Sequence, residues 1–314
     1  MAEVRRIKPL DVVVVVFGIF AATAIVSQIA EIGLDTLLEE IGNAGTGWLV
    51  TAFLLGLAGY YWDVISLRGA LDQPIPTVPT LFLQSAKRFI GLVVPTTAAR
   101  VLTDVRYLQK LGVPGPVAVA QGPLIGLVGF VAEVTLLLLG LWTVGQTMQF
   151  DDLGEGNAGT IIVAVVALVV VGLAVVVSLP GLRRRAVPWL RSALSSVAGV
   201  VRDPRRVGQI YLGQILERLT GALALAATLA AFGQTLPFMA VVFVAVGTGL
   251  LAGLAPVPGG IGVAEATMTA LLTSVGVPTE IAVSTAIVYR FLTSYLPPVL
   301  GWFSLRWLRS NGFL

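Results

Sequence analysis

The chain has 314 residues, 56% of them hydrophobic and 12% charged, with a mean hydropathy of +0.92; a soluble domain of this length is excluded and a polytopic membrane protein is indicated. It contains no cysteine and no histidine, which removes thiolate chemistry, disulfides, Cys/His zinc sites, histidine relays and Ser-His triads. The net charge of +3 sits in short basic loops that membrane topology explains, so no nucleic-acid partner is expected.

Leu10 to Ile32 reads as the first span. Arg5, Arg6 and Lys8 before it put the N-terminus in the cytoplasm, and the run reads as a retained anchor rather than a cleaved signal. The next loop carries Asp35, Glu39 and Glu40 without Lys or Arg, as an outside loop does. Trp48 to Leu67 returns inward, with Trp48, Tyr60, Tyr61 and Trp62 as interfacial anchors. Thr80 to Val94 and Ala98 to Leu111, divided by Pro95, are each too short to span. Val117 to Val144 goes outward to the acidic loop of Asp151, Asp152 and Glu155, and Thr160 to Leu179 comes back. The basic loop from residue 180 to 206 is the strongest cytoplasmic signal, and Val187 to Val201 within it reads as a surface amphipathic helix. Val207 to Phe232 goes outward. Phe238 to Leu254 and Gly262 to Val275 form a second broken pair, split by Pro256, Pro258, Gly259, Gly260 and Gly262. Glu280 to Leu305 crosses inward and leaves Arg306 and Arg309 in the cytoplasm.

All basic loops share one side only if both short pairs are re-entrant. The turn Lys110-Leu-Gly112-Val113-Pro114, followed by Ala118, returns 164 residues later as Ser274-Val-Gly276-Val277-Pro278, followed by Ala282 (Gly112 to Gly276). The expected fold is therefore an all-α polytopic membrane protein, an inverted repeat of about six full spans plus two re-entrant broken-helix hairpins. It forms one transmembrane domain over residues 1–314, with repeat 1 at about 10–144 and repeat 2 at about 160–308.

A half-helix starting inside the membrane aims free amides and partial positive charge at the midplane, a ready anion site. The candidate starts are Thr96-Thr97-Ala98 and Gly259-Gly260-Ile261-Gly262. Arg100 lies in the first turn of the former, and Arg100, Thr103, Asp104, Tyr107 and Lys110 share a helix face. Two readings of Arg100 stand: substrate contact, or an ion pair with Asp104. Glu265, in the first turn of the second half-helix, is either a cap or a ligand. Arg290 is buried deep in the last span and needs neutralising by Glu265 or Glu217. Glu217-Arg218, Lys87 and Arg88 are further ionisable residues at membrane depth. Glu133, isolated in sequence, is a candidate protonatable coupling residue. Gly-rich stretches such as Gly247-Thr-Gly249 miss dinucleotide spacing and read as helix packing. No Walker motif or metal-ligand cluster is present, and no cofactor is expected.

The pattern Pro256-x-Pro258-Gly259-Gly260-x-Gly262-x-x-Glu265, then Gly276, Ala282 and Tyr289-Arg290, resembles the lysylphosphatidylglycerol synthase transmembrane region, a family often labelled flippase-like. Pro95, Arg100, Leu108 and Gly112 are similar to its first-half motif, although Thr97, Ala98 and Ala99 stand where members commonly carry Gly and an acidic residue. The resemblance implies a lipid flippase or scramblase-like transporter of the bacterial or archaeal cytoplasmic (inner) membrane. Its cargo would be an anionic or aminoacylated phospholipid or a polyprenyl-phosphate-linked lipid, moved through a central polar cavity. Full-length synthases append a soluble transferase domain; here the sequence stops at Leu314, so no enzymatic activity is expected. The headgroup would be held by half-helix amides with Arg100 and Arg290. A secondary transporter of a small anionic solute, or a non-transporting partner of a cell-envelope synthase, are the alternatives. Membrane lipids are the expected partners, with homo-oligomers or an envelope-synthesis enzyme as protein partners.

Overall fold

The structure, a computed structural model, describes residues 39, 42–93, 97–147, 198–254 and 260–314. Among these every regular element is helical: α1 Thr46–Gly69, α2 Thr77–Val93, α3 Thr97–Lys110, α4 Gly115–Thr147, α5 Ala198–Arg202, α6 Pro204–Ala231, α7 Phe238–Leu254, α8 Val263–Ser274, α9 Thr279–Arg290, a π-helical turn Phe291–Tyr295, and α10 Pro297–Ser310. The first span, the return span from Thr160, most of the basic loop and the breaks around Pro95 and Pro258 lie outside the described residues. Of the surface helix expected at Val187 to Val201, only the end is described, as part of α5.

Two described helices are long and apolar enough to cross a membrane, α1 and the Gly115–Gly145 portion of α4; α7 is apolar but shorter. Helix α6 has 28 residues, about 42 Å of helix. It carries Glu217 and Arg218 at its centre. At 17, 14, 17 and 12 residues, α2, α3, α7 and α8 reach about 25, 21, 25 and 18 Å, each short of a hydrocarbon core of about 30 Å.

Glycine and proline close both hairpins in the same way. Gly112 (φ 84°) and Gly276 (φ 93°) take the left-handed conformation that ends a helix. Val113 N–H donates to Leu108 O at 3.0 Å and Val277 N–H to Leu272 O at 3.1 Å, the six-to-one bond of a Schellman turn. The next helix then starts with Ala118 N–H on Pro114 O (2.9 Å) in one turn and Ala282 N–H on Pro278 O (2.8 Å) in the other.

The apolar interior is divided. One core gathers Leu136, Leu137 and Val144 of α4 with α6, α7, α8 and α9 around Phe243, Met268, Leu271 and Leu272. A second gathers Leu83, Tyr107, Leu108 and Val113 with Leu308 of α10, and Phe82, Trp307 and Phe313 pack against it. A third, smaller one joins Ala70, Ala120, Leu124, Val200 and Ile210. Helix α4 therefore enters the core built around α7 and α8, and α10 the core built around α2 and α3. Between the cores α1 lies along α6. Gly213 makes the close approach possible, since a Cβ there would sit 2.9 Å from Trp62 O.

Two sequence expectations need correction. Tyr60 and Trp62 are not interfacial anchors. Tyr60 is 6% exposed, and the Trp62 indole donates to Thr220 Oγ1 across α6 at 3.0 Å, while Tyr61 and Trp48 stay exposed. Helix α1 is held along its length by α6, so consecutive aromatics divide between interior and periphery. The last span is also not one regular helix. Pro297 and Pro298 cannot donate to the carbonyls one turn back, and the chain answers with a π turn closed by Leu296 N–H on Phe291 O at 2.8 Å.

Candidate functional site

Apart from the Lys87–Asp104 pair and the Arg206 contacts to Asp72 and Asp203, the ion pairs among the described residues form two groups. The first surrounds the start of α8. Gly260 and Gly262 bring the chain in with φ of 64° and 84°. Glu265, 4% exposed, turns back so that its Oε2 accepts from Gly262 N–H at 2.6 Å. A carboxylate here also opposes the positive end of the helix dipole. Its other oxygen, Oε1, accepts from Arg290 Nε at 3.1 Å and from the Tyr295 hydroxyl at 2.5 Å. Arg290 continues to Ser294 Oγ at 2.9 Å and lies over the Tyr295 ring, 5.3 Å from its centre. From the π turn, Tyr295 reaches the carboxylate and Ser294 reaches the guanidinium. The break in the last span thus aims two hydroxyls at this ion pair.

The second group is a chain of alternating charges linking four helices. Asp63 of α1 and Glu217 of α6 each lie 3.4 Å from the same nitrogen, Nη2, of Arg88 in α2. Glu217 also binds Arg218 Nη1, and Arg218 in turn gives Glu133 of α4 contacts of 2.8 Å from Nε and 2.5 Å from Nη2. Arg88 rests over the Tyr60 ring at 5.2 Å. Glu217 stands halfway along α6 and packs against Gly59 of α1, where a Cβ would lie 3.8 Å from its Cγ. Tyr289 of α9 bridges towards the first group, its hydroxyl donating to Gly221 O at 3.3 Å.

Of the sequence candidates, the structure brings Arg290 to Glu265, whereas Glu217 goes to Arg88 and Arg218. Arg100 and Asp104 do not pair. Asp104 binds Lys87 at 2.9 Å, because α2 runs beside α3 and its ammonium is nearer than a neighbour one turn away on the same helix. The exposed Arg100 side chain lies instead against Gly91 of α2, where a Cβ would be 3.0 Å from its Cδ, and it has no ion pair among the described residues. Glu133 is isolated in sequence but not in space, since Arg218 reaches it from α6. Thr96 and Gly259 lie outside the described residues, and Thr97 opens α3.

Asp63 was missing from the sequence candidates. Its signal was available: it is the only carboxylate in an otherwise apolar spanning helix, a position that a charge occupies at a high energetic cost. Tyr60, Ser294 and Tyr295 carried no such signal. Among the described residues no group of acidic or metal-ligating side chains fits a metal ion.

A search of curated proteins finds no match to the chain. The family model of the lysylphosphatidylglycerol synthase TM region matches residues 10–301, nearly the whole length. The two spanning helices and this match agree: the protein is a membrane protein and belongs to the lysylphosphatidylglycerol synthase TM region family.

Proposed function

We propose that the protein is a non-enzymatic lipid transporter of the cytoplasmic membrane, a flippase or scramblase that passes an anionic headgroup between leaflets while the acyl chains stay in lipid. The observation that carries this reading is the charge chain at mid-helix. Five ionisable residues from four helices are held at a depth where one unaided charge is expensive. A static structural protein gains little from such groups, since buried ion pairs barely recover their desolvation. A polar layer there lowers the barrier that a phosphate meets when it leaves water.

The scaffold supports alternating exposure of that layer. Exchanging α1 with α6, α2 with α7, α3 with α8, and α4 with α9 to α10 carries each contact among these helices onto another, the short α5 standing outside the exchange. The α2–α10 contact becomes α7–α4, α3–α4 becomes α8–α9, α4–α6 becomes the contact of α1 with the π turn, and α1–α6 maps onto itself. We read this as an inverted repeat with both hairpins re-entrant, the first opening to the cytoplasm and the second to the outside. Because the chain has no cysteine, Lys110→Cys and Ser274→Cys each create a unique thiol. Labelling of both by an impermeant reagent from the same side of the membrane would sink the inverted arrangement.

The transport test uses vesicles of phosphatidylcholine with a trace of fluorescent phosphatidylglycerol, followed by quenching of the outer leaflet. Wild type is expected to exchange the probe well above protein-free vesicles, and Arg88→Ala, Arg100→Ala and Arg290→Ala more slowly. Failure of wild type to exchange this or a polyprenyl-phosphate probe, together with uptake of a soluble anion, transfers the protein to the solute carriers.

A further inference from the structure

The alternating chain does not balance. It contains three carboxylates, Asp63, Glu217 and Glu133, but two guanidiniums, Arg88 and Arg218. The groups facing it from neighbouring helices do not supply the missing charge. Lys87, next to Arg88 on α2, is committed to Asp104 of α3 at 2.9 Å and to Gln84, and Arg290 of α9 is committed to Glu265. Arg100 of α3 lies against Gly91, one turn beyond Arg88. Tyr60 and Tyr289 are neutral hydroxyls.

Geometry locates the surplus. Arg218 serves Glu133 through two nitrogens and Glu217 through a third. Asp63 has one cation among the described residues, Arg88, through one nitrogen at 3.4 Å, and shares that nitrogen with Glu217. A shared contact at this length is the weakest link in the chain. Beside it, one turn back along α1, the buried Tyr60 hydroxyl has no hydrogen-bond partner in the structure. Two carboxylates around one guanidinium nitrogen, with an unfilled hydroxyl alongside, form a site that accepts a positive charge small enough to fit between them.

We propose that Asp63 is a proton-binding site, and that its protonation frees Arg88 to take the headgroup phosphate, so that a proton and an anionic lipid bind together. This rests on the lipid-transport reading. A proton added to Asp63 converts an acceptor-only carboxylate into a neutral acid, and Arg88 then loses one of the two anions that hold it. Protonation leaves two carboxylates against two guanidiniums, and the phosphate that takes Asp63's place on Arg88 returns the group to its resting net charge, so the headgroup adds no new excess of charge. Each ligand thus favours the other by the same factor, and a pH gradient becomes a driving force for moving lipid.

Two measurements on the full chain decide the point. In phosphatidylcholine vesicles holding a trace of fluorescent phosphatidylglycerol, a pH gradient acid on the outside should speed wild-type exchange by roughly fivefold or more, the lower range of ordinary coupling. Asp63→Asn should exchange lipid at a rate indifferent to the gradient, and Asp63→Glu should recover the dependence. In parallel, the infrared carbonyl band of a protonated carboxyl should be present in wild type and titrate with pH, be missing from Asp63→Asn, and return shifted in Asp63→Glu. Gradient-independent exchange by wild type overturns the coupling and leaves lipid transport standing. No exchange at all removes both. An unaltered titrating band in Asp63→Asn overturns the assignment to Asp63, and the glutamate variant guards against mere misfolding.

Discussion

The two hairpins end alike and begin differently. Their closing turns share left-handed glycines 164 residues apart, the same hydrogen bonds and the same prolines (Gly112 to Gly276). Their tips share no chemistry. The first hairpin carries Lys87, Arg88, Arg100, Arg106 and Lys110 with one carboxylate, Asp104, so it is basic, whereas the second carries a lone Glu265. Helix α8 therefore satisfies its own N-terminal amide with its own side chain and is neutralised from α9 by Arg290. The first tip instead lends Arg88 to Asp63 and Glu217, and leaves Arg100 exposed. The comparison separates two kinds of information. Glycine and proline set the path of the backbone and are repeated, while charge placement sets the chemistry and is not. In the proposed transporter, one closed tip and one lent outward would offer a single anion site.

The sharpest way to break this contrast is to remove Glu265. The Glu265→Ala variant leaves Arg290 with a buried charge and leaves Gly262 N–H without its acceptor. It should lose about 3–5 kcal/mol of stability, read as a lower thermal midpoint in detergent. The double variant Glu265→Ala/Arg290→Met should recover much of the loss, because the stranded charge has gone. A double variant no better than the single one would show that the carboxylate acts as a cap alone.

The next pair of substitutions tests whether the halves are packed as equivalents. Gly140 on α4 touches α7, where a Cβ would sit 2.9 Å from Phe243 Cβ and 3.2 Å from Met239 O. Gly301 on α10 touches α2, where it would meet Ser85 O and lie 2.8 Å from Phe89 Cβ. Alanine at either position forces a closing helix away from the opposite hairpin, and each should cost roughly 1–3 kcal/mol. Lipid exchange should slow in both, since both helices frame the charge chain. A loss confined to one of the two would show that the halves are not packed alike.

Gly112→Ala and Gly276→Ala sharpen the same point at smaller scale. Nothing lies within 4 Å of a Cβ at either glycine, so the whole penalty is conformational. Each should lose about 1–2 kcal/mol, the cost of a left-handed L-residue, and by closely matching amounts. Thermal midpoints measured side by side check the match.

Much of this was legible before any coordinates. Helix α7 runs over the residues expected of it, and α2, α3, α4, α6 and α8 fall within a few residues of theirs, because long apolar runs bounded by proline and glycine leave few alternatives. The π turn was not legible from hydropathy, although Pro297-Pro298 held the signal in their missing amides. Ion partners were legible only where helix periodicity or burial left one choice. Lys87–Asp104 and Arg218–Glu133 join separate helices, and no local pattern states which helices will be neighbours. Asp63 differs: as the only carboxylate of α1 it stands out in the sequence, but its partner Arg88 lies on another helix that no local pattern identifies.

The smallest effect in the comparison concerns how each hairpin joins its own legs. In the first, Tyr107 of α3, fully buried, meets Thr80 of α2 at 2.8 Å. The Thr80 hydroxyl already donates to Pro76 O at 2.6 Å, so the tyrosine is the donor between them. In the second hairpin the legs meet through aliphatic side chains; a Cβ at Gly247 of α7 would lie 3.1 Å from Leu271 Cδ1 of α8. Tyr107→Phe removes one neutral hydrogen bond while leaving the ring on Phe313 and Thr80 on its carbonyl. It should therefore cost only about 1 kcal/mol, with lipid exchange unaltered because the pair lies away from the charge chain. A much larger loss, or slowed exchange, would mean that the first hairpin depends on this bond to hold its tip and that Arg88 is positioned through α3 as well as α2.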